Sequence, residues 1–192
     1  MDRSPGVEGV TDEHLVARSA GGDRTAFDEL VVRYGPYALR VAARLLRDTA
    51  SAEDVAQEAF VRCWSQIHRF DSRQARFTTW LYRIVVNLCI DNKRRREPEP
   101  LPADFDVVDA GATAEEMMES NERATILAQA LKDLPLRQRA ALTLIYDEGL
   151  SGAEAARVLG SSVKAVERLL ARARSYLRAR LTSSHFAGSD RC

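Results

Sequence analysis

Apolar residues recur along this chain at three- and four-residue intervals, and no run shows the strict alternation of a half-buried strand. The first half carries four such patterns. Residues 12–20 make a short one that stops at Gly21-Gly22. Residues 25–46 line up Phe27, Leu30, Val31, Tyr34, Ala38, Val41, Ala42 and Leu45, with Gly35-Pro36 expected to bend or interrupt the helix. Residues 52–67 follow Ser51, which is placed to cap the helix while Asp54 answers it three residues on. The inward stripe of that helix runs through Ala56, Phe60, Cys63, Trp64 and Ile67. Residues 79–96 are the fourth, with Leu81, Ile84, Val85 and Leu88 as the buried side. The second half repeats the count: 114–134 (stopped before Pro135), 136–147, 152–159 and 163–181.

Between the two sets the periodicity disappears. Residues 97–113 hold Pro98, Pro100, Pro102, Gly111 and repeated Asp, a composition that buries little surface and reads as a flexible linker. The expected fold is all-α, with two small helical domains at 12–96 and 123–181 and an acidic connection at 97–122. Residues 1–11 are expected to be disordered and 182–192 to fray.

Charge sharpens this division. The chain is formally neutral, but residues 1–96 carry 16 bases and 13 acids, 97–122 carry nine acids and no base, and 123–192 carry 12 bases and six acids. Two mildly basic domains flanking an acidic strip suit a polyanionic partner. No apolar run approaches the roughly 18 residues of a membrane span and residues 1–10 lack a signal-peptide core, so no membrane insertion and a cytoplasmic location are expected. Cys63, Cys89 and Cys192 make a poor disulfide framework, and the first two read as reduced core thiols. Cys63 and His68 do not share a helix face, so no metal is expected. No nucleophile–base pairing or Gly-rich phosphate loop is visible, which argues against an enzyme and against a cofactor.

The strongest local motif spans residues 151–174. Ser151 is placed to cap a short helix, and Ala156 is small enough for a close helix crossing. Gly160 suits a positive-φ stop, Ser162 a second cap, and Val166, Leu169 and Leu170 an inward stripe. This is the pattern of a helix-turn-helix whose second helix enters the major groove. Lys164, Arg168, Arg172 and, further round, Arg174 lie on its outward side. Ser162 and Lys164 are placed for phosphate, Arg168 and Arg172 for base edges. The plainer alternative is a basic surface helix that touches no DNA.

In the first half, Asp54, Gln57, Glu58 and Arg62 sit opposite the apolar stripe of residues 52–67. Such a face is commonly just solvated, but between two basic regions it suits a protein contact better than a DNA contact. In the next helix Arg83, Asn87, Asp91 and Arg95 recur every fourth residue as one outward row. Phe77, Trp80 and Tyr82 cluster at its start, and Lys93-Arg94-Arg95-Arg96 closes it. Cations beside aromatic rings suit single-stranded or melting DNA, although the rings taken alone read more simply as core.

Four stretches together resemble the extracytoplasmic-function (ECF) sigma factors of bacterial RNA polymerase, in the sigma-70 family. They are residues 26–34 (AFDELVVRY), 52–60 (AEDVAQEAF), 77–87 (FTTWLYRIVVN) and 131–180 with the helix-turn-helix. The likeness covers about residues 12–181 apart from the linker. It implies a non-enzymatic initiation factor that binds core polymerase, directs it to −10 and −35 promoter elements, promotes opening, and is controlled by an anti-sigma factor. It implies that Asp54, Gln57 and Glu58 lie on the helix that meets the β′ clamp helices, and that the second domain meets the β flap. Phe70 and Asn87 fall where the family holds a flipped base, with residues 71–76, including Ser72, Arg73 and Arg76, as the adjoining loop. Trp80, Arg83 and Arg95 complete the expected −10 set. Glu167, Leu169 and Ala171 depart from the more polar or basic residues frequent in the family's recognition helix, which leaves the −35 sequence open. The rival reading is a stand-alone helix-turn-helix regulator whose N-terminal bundle dimerises; binding of core polymerase separates the two.

Overall fold

The structure, a computed structural model, describes residues 10–46, 48–96 and 119–188. Every regular element among them is helical, and the chain divides into two compact units, Met1–Asn92 and Lys93–Cys192. Most of the linker 97–122, nearly all of the 1–11 segment and Cys192 lie outside the described residues.

The first unit is built from α1 (Asp12–Ala20), α2 (Arg24–Leu45), α3 (Thr49–Gln66), a 3-10 turn (Ile67–Arg69) and α4 (Phe77–Arg96), whose last turn runs past the Asn92 boundary. Leu15 and Val16 of α1 are buried, and α1 packs on α2, where the Arg33 guanidinium meets the Asp12 carboxylate at 2.6 Å. The Tyr34 hydroxyl donates to the same carboxylate, and burial pushes its pKa well above that of a free phenol. α2 is capped by Asp23, which accepts from the Ala26 amide at 3.1 Å.

Of the bend or interruption expected at Gly35-Pro36, the interruption does not occur: α2 runs through with Pro36 on its exposed side. A proline ring crowds the Cβ of the residue before it, and Gly35 has none. Tyr34, Ala38, Val41, Ala42 and Leu45 are buried on both sides of the proline, and their burial outweighs the missing hydrogen bond.

α3 also departs from expectation, for it begins three residues before Ala52. Its cap is Asp48, whose carboxylate accepts from the Ser51 amide at 2.7 Å, and Ser51 itself is buried in the first turn. Ser51 therefore faces the core instead of capping, and its expected partnership with Asp54 is lost. Val55, Ala59, Phe60 and Cys63 continue the inward stripe.

α4 starts two residues earlier than expected, at Phe77, and is buried more widely. Leu81, Val85 and Leu88 face inward as the pattern requires and Cys89 is in the core as expected, but Tyr82 and Val86 are buried too, while Ile84 is only half-buried. Each fully buried aliphatic side chain contributes about 1.5–3 kcal/mol, so α4 is a main support of this unit's core. Burial raises the Cys63 and Cys89 thiols to about 12, which keeps both protonated and unreactive.

The second unit comprises α5 (Glu119–Asp133), α6 (Leu136–Leu142, continued by a π-helical turn Thr143–Asp147), α7 (Gly152–Val158) and α8 (Val163–Gly188). The first three pack against α8. Arg139, buried in α6, donates to the Lys132 carbonyl at 2.7 Å and the Leu134 carbonyl at 2.9 Å, closing the C-terminus of α5 with a positive charge. α8 extends past residue 182 as far as Gly188. The Thr182 hydroxyl donates back to the Arg178 carbonyl at 2.9 Å, a bond that lets a weak helix former sit inside the helix.

Candidate nucleic-acid interface

In the second unit the turn between α7 and α8 is held by hydrogen bonds its own residues supply. The Ser151 hydroxyl accepts from the Glu154 amide at 3.3 Å, and the Glu154 carboxylate accepts from the Ser151 amide at 2.9 Å, a complete capping box. At the other end of α7 the Ser161 amide donates to the Ala156 carbonyl at 2.9 Å and the Gly160 amide to the Arg157 carbonyl at 3.4 Å. That pair is a Schellman stop, and it requires the left-handed φ of 58° found at Gly160. A Cβ there would meet nothing within 4 Å, so the demand for glycine is one of backbone conformation alone. The Ser162 hydroxyl then caps α8 by accepting from the Ala165 amide at 3.2 Å. A Cβ on Gly152 would lie 3.6 Å from Val163 Cγ1, which measures how closely the start of α7 approaches α8.

Val166, Leu170 and Ala173 anchor α8 inward and Leu169 is half-buried, while Ser162, Lys164, Arg168, Arg172 and Arg174 are exposed. The cationic face expected from the sequence therefore exists on a helix whose start is fixed by the Ser162 cap and by the left-handed glycine that ends α7. A neighbour not apparent in the sequence joins it. Arg137, in the first turn of α6, reaches the turn and donates to the Leu159 carbonyl at 2.8 Å. That carbonyl lies 22 residues away, so no local pattern signals the contact.

In the first unit, Phe70, Phe77 and Trp80 form one aromatic cluster. The Phe70 and Trp80 rings lie 4.9 Å apart and tilted by 32°, with Phe77 at 6.2 Å from Phe70 and 5.9 Å from Trp80. Burial separates their roles: Phe77 and Tyr82 are core, whereas Phe70 and Trp80 are half-exposed. Phe77 also meets Tyr34 at 5.4 Å, tying the cluster to α2. Trp80, Arg83 and Asn87 share one side of α4 by their spacing; Arg83, Asn87 and Arg95 are exposed and Asp91 half-buried.

The loop beside the cluster is preorganised by one carboxylate. Asp71 accepts from the Arg73 amide at 3.0 Å, from Arg73 Nε and Nη2 at 2.9 and 3.0 Å, and from the Gln74 side chain at 3.1 Å. The hydrogen bonds from Arg73 hold the Asp71 carboxyl well below the usual range. The Arg73 side chain is 88% exposed yet fixed in direction, and Ser72 and Arg76 are exposed beside it.

On α3, Asp54, Gln57 and Glu58 are exposed as expected, with Glu58 paired to Arg62 at 2.8 Å. Val61 lies in the same row, four residues after Gln57, and is 63% exposed. Sequence reasoning passed over it, although a valine on the polar side of an amphipathic helix is a visible break in the pattern. The negative charge of this row is unfavourable toward a phosphate backbone.

Residues 30–99 match the Sigma-70 region 2 family and residues 124–177 match Sigma-70 region 4. The chain is 37% identical over 174 residues to the RNA polymerase sigma-H factor of Pseudomonas aeruginosa, covering 85% of this chain and 90% of that protein. It is 33% identical over 171 residues to the ECF RNA polymerase sigma factor SigW of Bacillus subtilis, covering 83% and 91%. It is similar to the solved structure of CnrH in complex with the cytosolic domain of CnrY, with a TM-score of 0.67, 31% identity and coverage of 90% and 97%. RpoE of Bartonella quintana, solved with the anti-sigma factor NepR, shares the fold at a TM-score of 0.61 and 22% identity, covering 81% and 96%. With both sigma-70 regions in order and relatives matched over nearly their full length, the chain belongs to the ECF sigma factors of the sigma-70 family.

Proposed function

We propose that this sigma factor binds core RNA polymerase through the α3 face, brings it to promoters with −10 and −35 elements, and supports opening of the DNA. Asp54, Gln57 and Glu58, with Val61 among them, meet the β′ clamp helices, and the second unit meets the β flap. Phe70 and Asn87 flank the place of one flipped non-template base; Ser72, Arg73, Arg76, Trp80, Arg83 and Arg95 guide the strand around it. Extruding a base costs a few kcal/mol of stacking, which a fitted site must return to keep the bubble open. Ser162, Lys164, Arg168, Arg172 and Arg174 engage the −35 duplex. The protein performs no chemistry of its own; phosphodiester formation belongs to the polymerase, and the protein works where the polymerase does, in the cytoplasm.

The observation that carries this reading is the preorganised α7–α8 turn presenting a cationic helix, in a chain whose other unit offers an exposed acidic row and a half-exposed aromatic pair. Control by an anti-sigma factor is part of the proposal, supported by the partner-bound states of CnrH and RpoE. The test is in vitro transcription of genomic fragments by core polymerase with and without the protein, followed by sequencing of transcript 5′ ends. Start sites dependent on the protein, sharing upstream elements, are the expected result. A protein that binds duplex DNA but neither binds core nor redirects it is a stand-alone regulator, and the proposal fails.

A further inference from the structure

Beside the helix-turn-helix lies a cleft of about 240 Å³, lined by Arg137, Ser161, Ala165, Arg168, Leu169 and Arg172. Three arginines thus line one small space, and no acidic residue is among the described residues that line it. An anion in the cleft would stand within the field of their positive charge. The Ser161 hydroxyl oxygen is buried and has no hydrogen-bond partner among the described residues. A buried hydroxyl without a partner is destabilising, and a bound oxyanion would supply the missing acceptor. Arg137 cannot swing freely, because one of its amino groups is held by the Leu159 carbonyl at 2.8 Å. A guanidinium has five N–H donors in a rigid fork, so this bond fixes its plane and leaves others for a ligand.

The cleft is on the flank of α8 that faces α6, one side away from Lys164. A helix lying in the major groove has a phosphate backbone along each edge of the groove, about 12 Å apart. A cation carried by the preceding helix therefore stands where the groove rim passes. We propose that this cleft takes one backbone phosphate at the edge of the −35 duplex, held by Arg137, by the Ser161 hydroxyl and by whichever of Arg168 and Arg172 turns toward it. The inference rests on the DNA-binding role of α8 proposed above and adds to it a residue from a different helix. Its consequence is a division of labour. Arg137 supplies affinity without sequence preference, and it locks the turn to the backbone so that the remaining arginine reads bases at a fixed depth.

The test uses holoenzyme assembled from core polymerase and the full chain, with a promoter duplex mapped by the transcription experiment. Single phosphates around the −35 element are replaced in turn by neutral methylphosphonates, for the parent and for Arg137→Gln, Arg137→Lys and Ser161→Ala. In the parent, one position at the groove edge should lower affinity about tenfold or more, as expected for a charge-assisted contact. Arg137→Gln should show a loss of that order on unmodified DNA, a salt slope smaller by about 1, and no further loss at that position. Ser161→Ala should show a smaller loss at the same position, and Arg137→Lys should keep the salt slope.

Losses that multiply at every position would overturn the assignment, as would Arg137→Gln binding like the parent. An Arg137→Gln protein that melts earlier but keeps the parent's response to every methylphosphonate confines Arg137 to clamping the turn, which also overturns it. Inorganic phosphate that shifts the Ser161 amide resonance of the parent yet leaves duplex affinity unchanged at equal ionic strength assigns the cleft to a free anion instead. A parent holoenzyme without −35-dependent binding fails earlier, at the proposed function, and removes the basis for this inference with it.

Discussion

Replacing Asp54 and Glu58 together by lysine reverses the charge of the α3 face and spares the core beneath it. Both residues are exposed, and the inward residues Val55, Ala59, Phe60 and Cys63 are untouched. Among the described residues the one side-chain interaction lost is the Glu58–Arg62 pair, at 2.8 Å and with side chains 47% and 41% exposed. An exposed pair of this spacing contributes roughly 0.3–0.5 kcal/mol, and placing lysine against Arg62 adds a repulsion of similar size. Asp54 stands beyond the first turn of a helix that starts at Thr49, so the helix dipole adds little. The double substitution should therefore cost about 1 kcal/mol of stability, roughly 4–8 °C in the melting of a unit this size. Against a complementary surface on the polymerase, the same reversal costs several kcal/mol; about 2.7 kcal/mol already means a hundredfold. Competition against labelled parent for core polymerase measures the second effect, and a circular-dichroism melt the first. A folded double mutant that competes as well as the parent would refute the assignment of this face.

The other predictions concern the two DNA-facing regions and the turn. Asn87→Ala should leave closed-complex binding near the parent's level and reduce promoter melting, as read by permanganate footprinting of open complexes; unchanged melting removes Asn87 from the site. Arg168→Ala and Arg172→Ala should differ from each other. The one making a bidentate base contact should lose roughly 1–3 kcal/mol on the mapped −35 element and relax the preference at one base, while Lys164→Ala should weaken all sequences alike and flatten the salt dependence. Equal affinity for both arginine variants and the parent would mean that this side of α8 does not face the groove. Gly160→Ala forces a side chain into left-handed backbone at about 1–2 kcal/mol, offset by roughly 0.4–1 kcal/mol from the stiffer unfolded chain. The net loss of about 1 kcal/mol should lower the melting midpoint, less so for Gly160→Asn, and an unchanged midpoint for the alanine variant would contradict the held turn.

What the sequence by itself determined is what depends on neighbours within about one helical turn. The cap at Ser151, the stop at Gly160, the cap at Ser162 and the inward row of Val166 and Leu170 were all legible, because cap bonds and the 3.6-residue period are local. The exposed rows of α3 and α4 were legible for the same reason. Where two local solutions competed, tertiary burial chose. Asp48 and Ser51 are both good caps, and Asp48 took the role because Ser51 points into the core. Pro36 argued for a break, and the buried residues before and after it kept α2 whole. The second buried side of α4, with Tyr82 and Val86, has no signature in an amphipathic pattern that expects one face to stay wet. Nor could any local rule show that Phe70 joins the cluster of Phe77 and Trp80 or that Arg137 would reach the Leu159 carbonyl. Those contacts join segments whose approach is decided only when whole helices pack, since the area buried along a helix face outweighs the preference of any single residue on it.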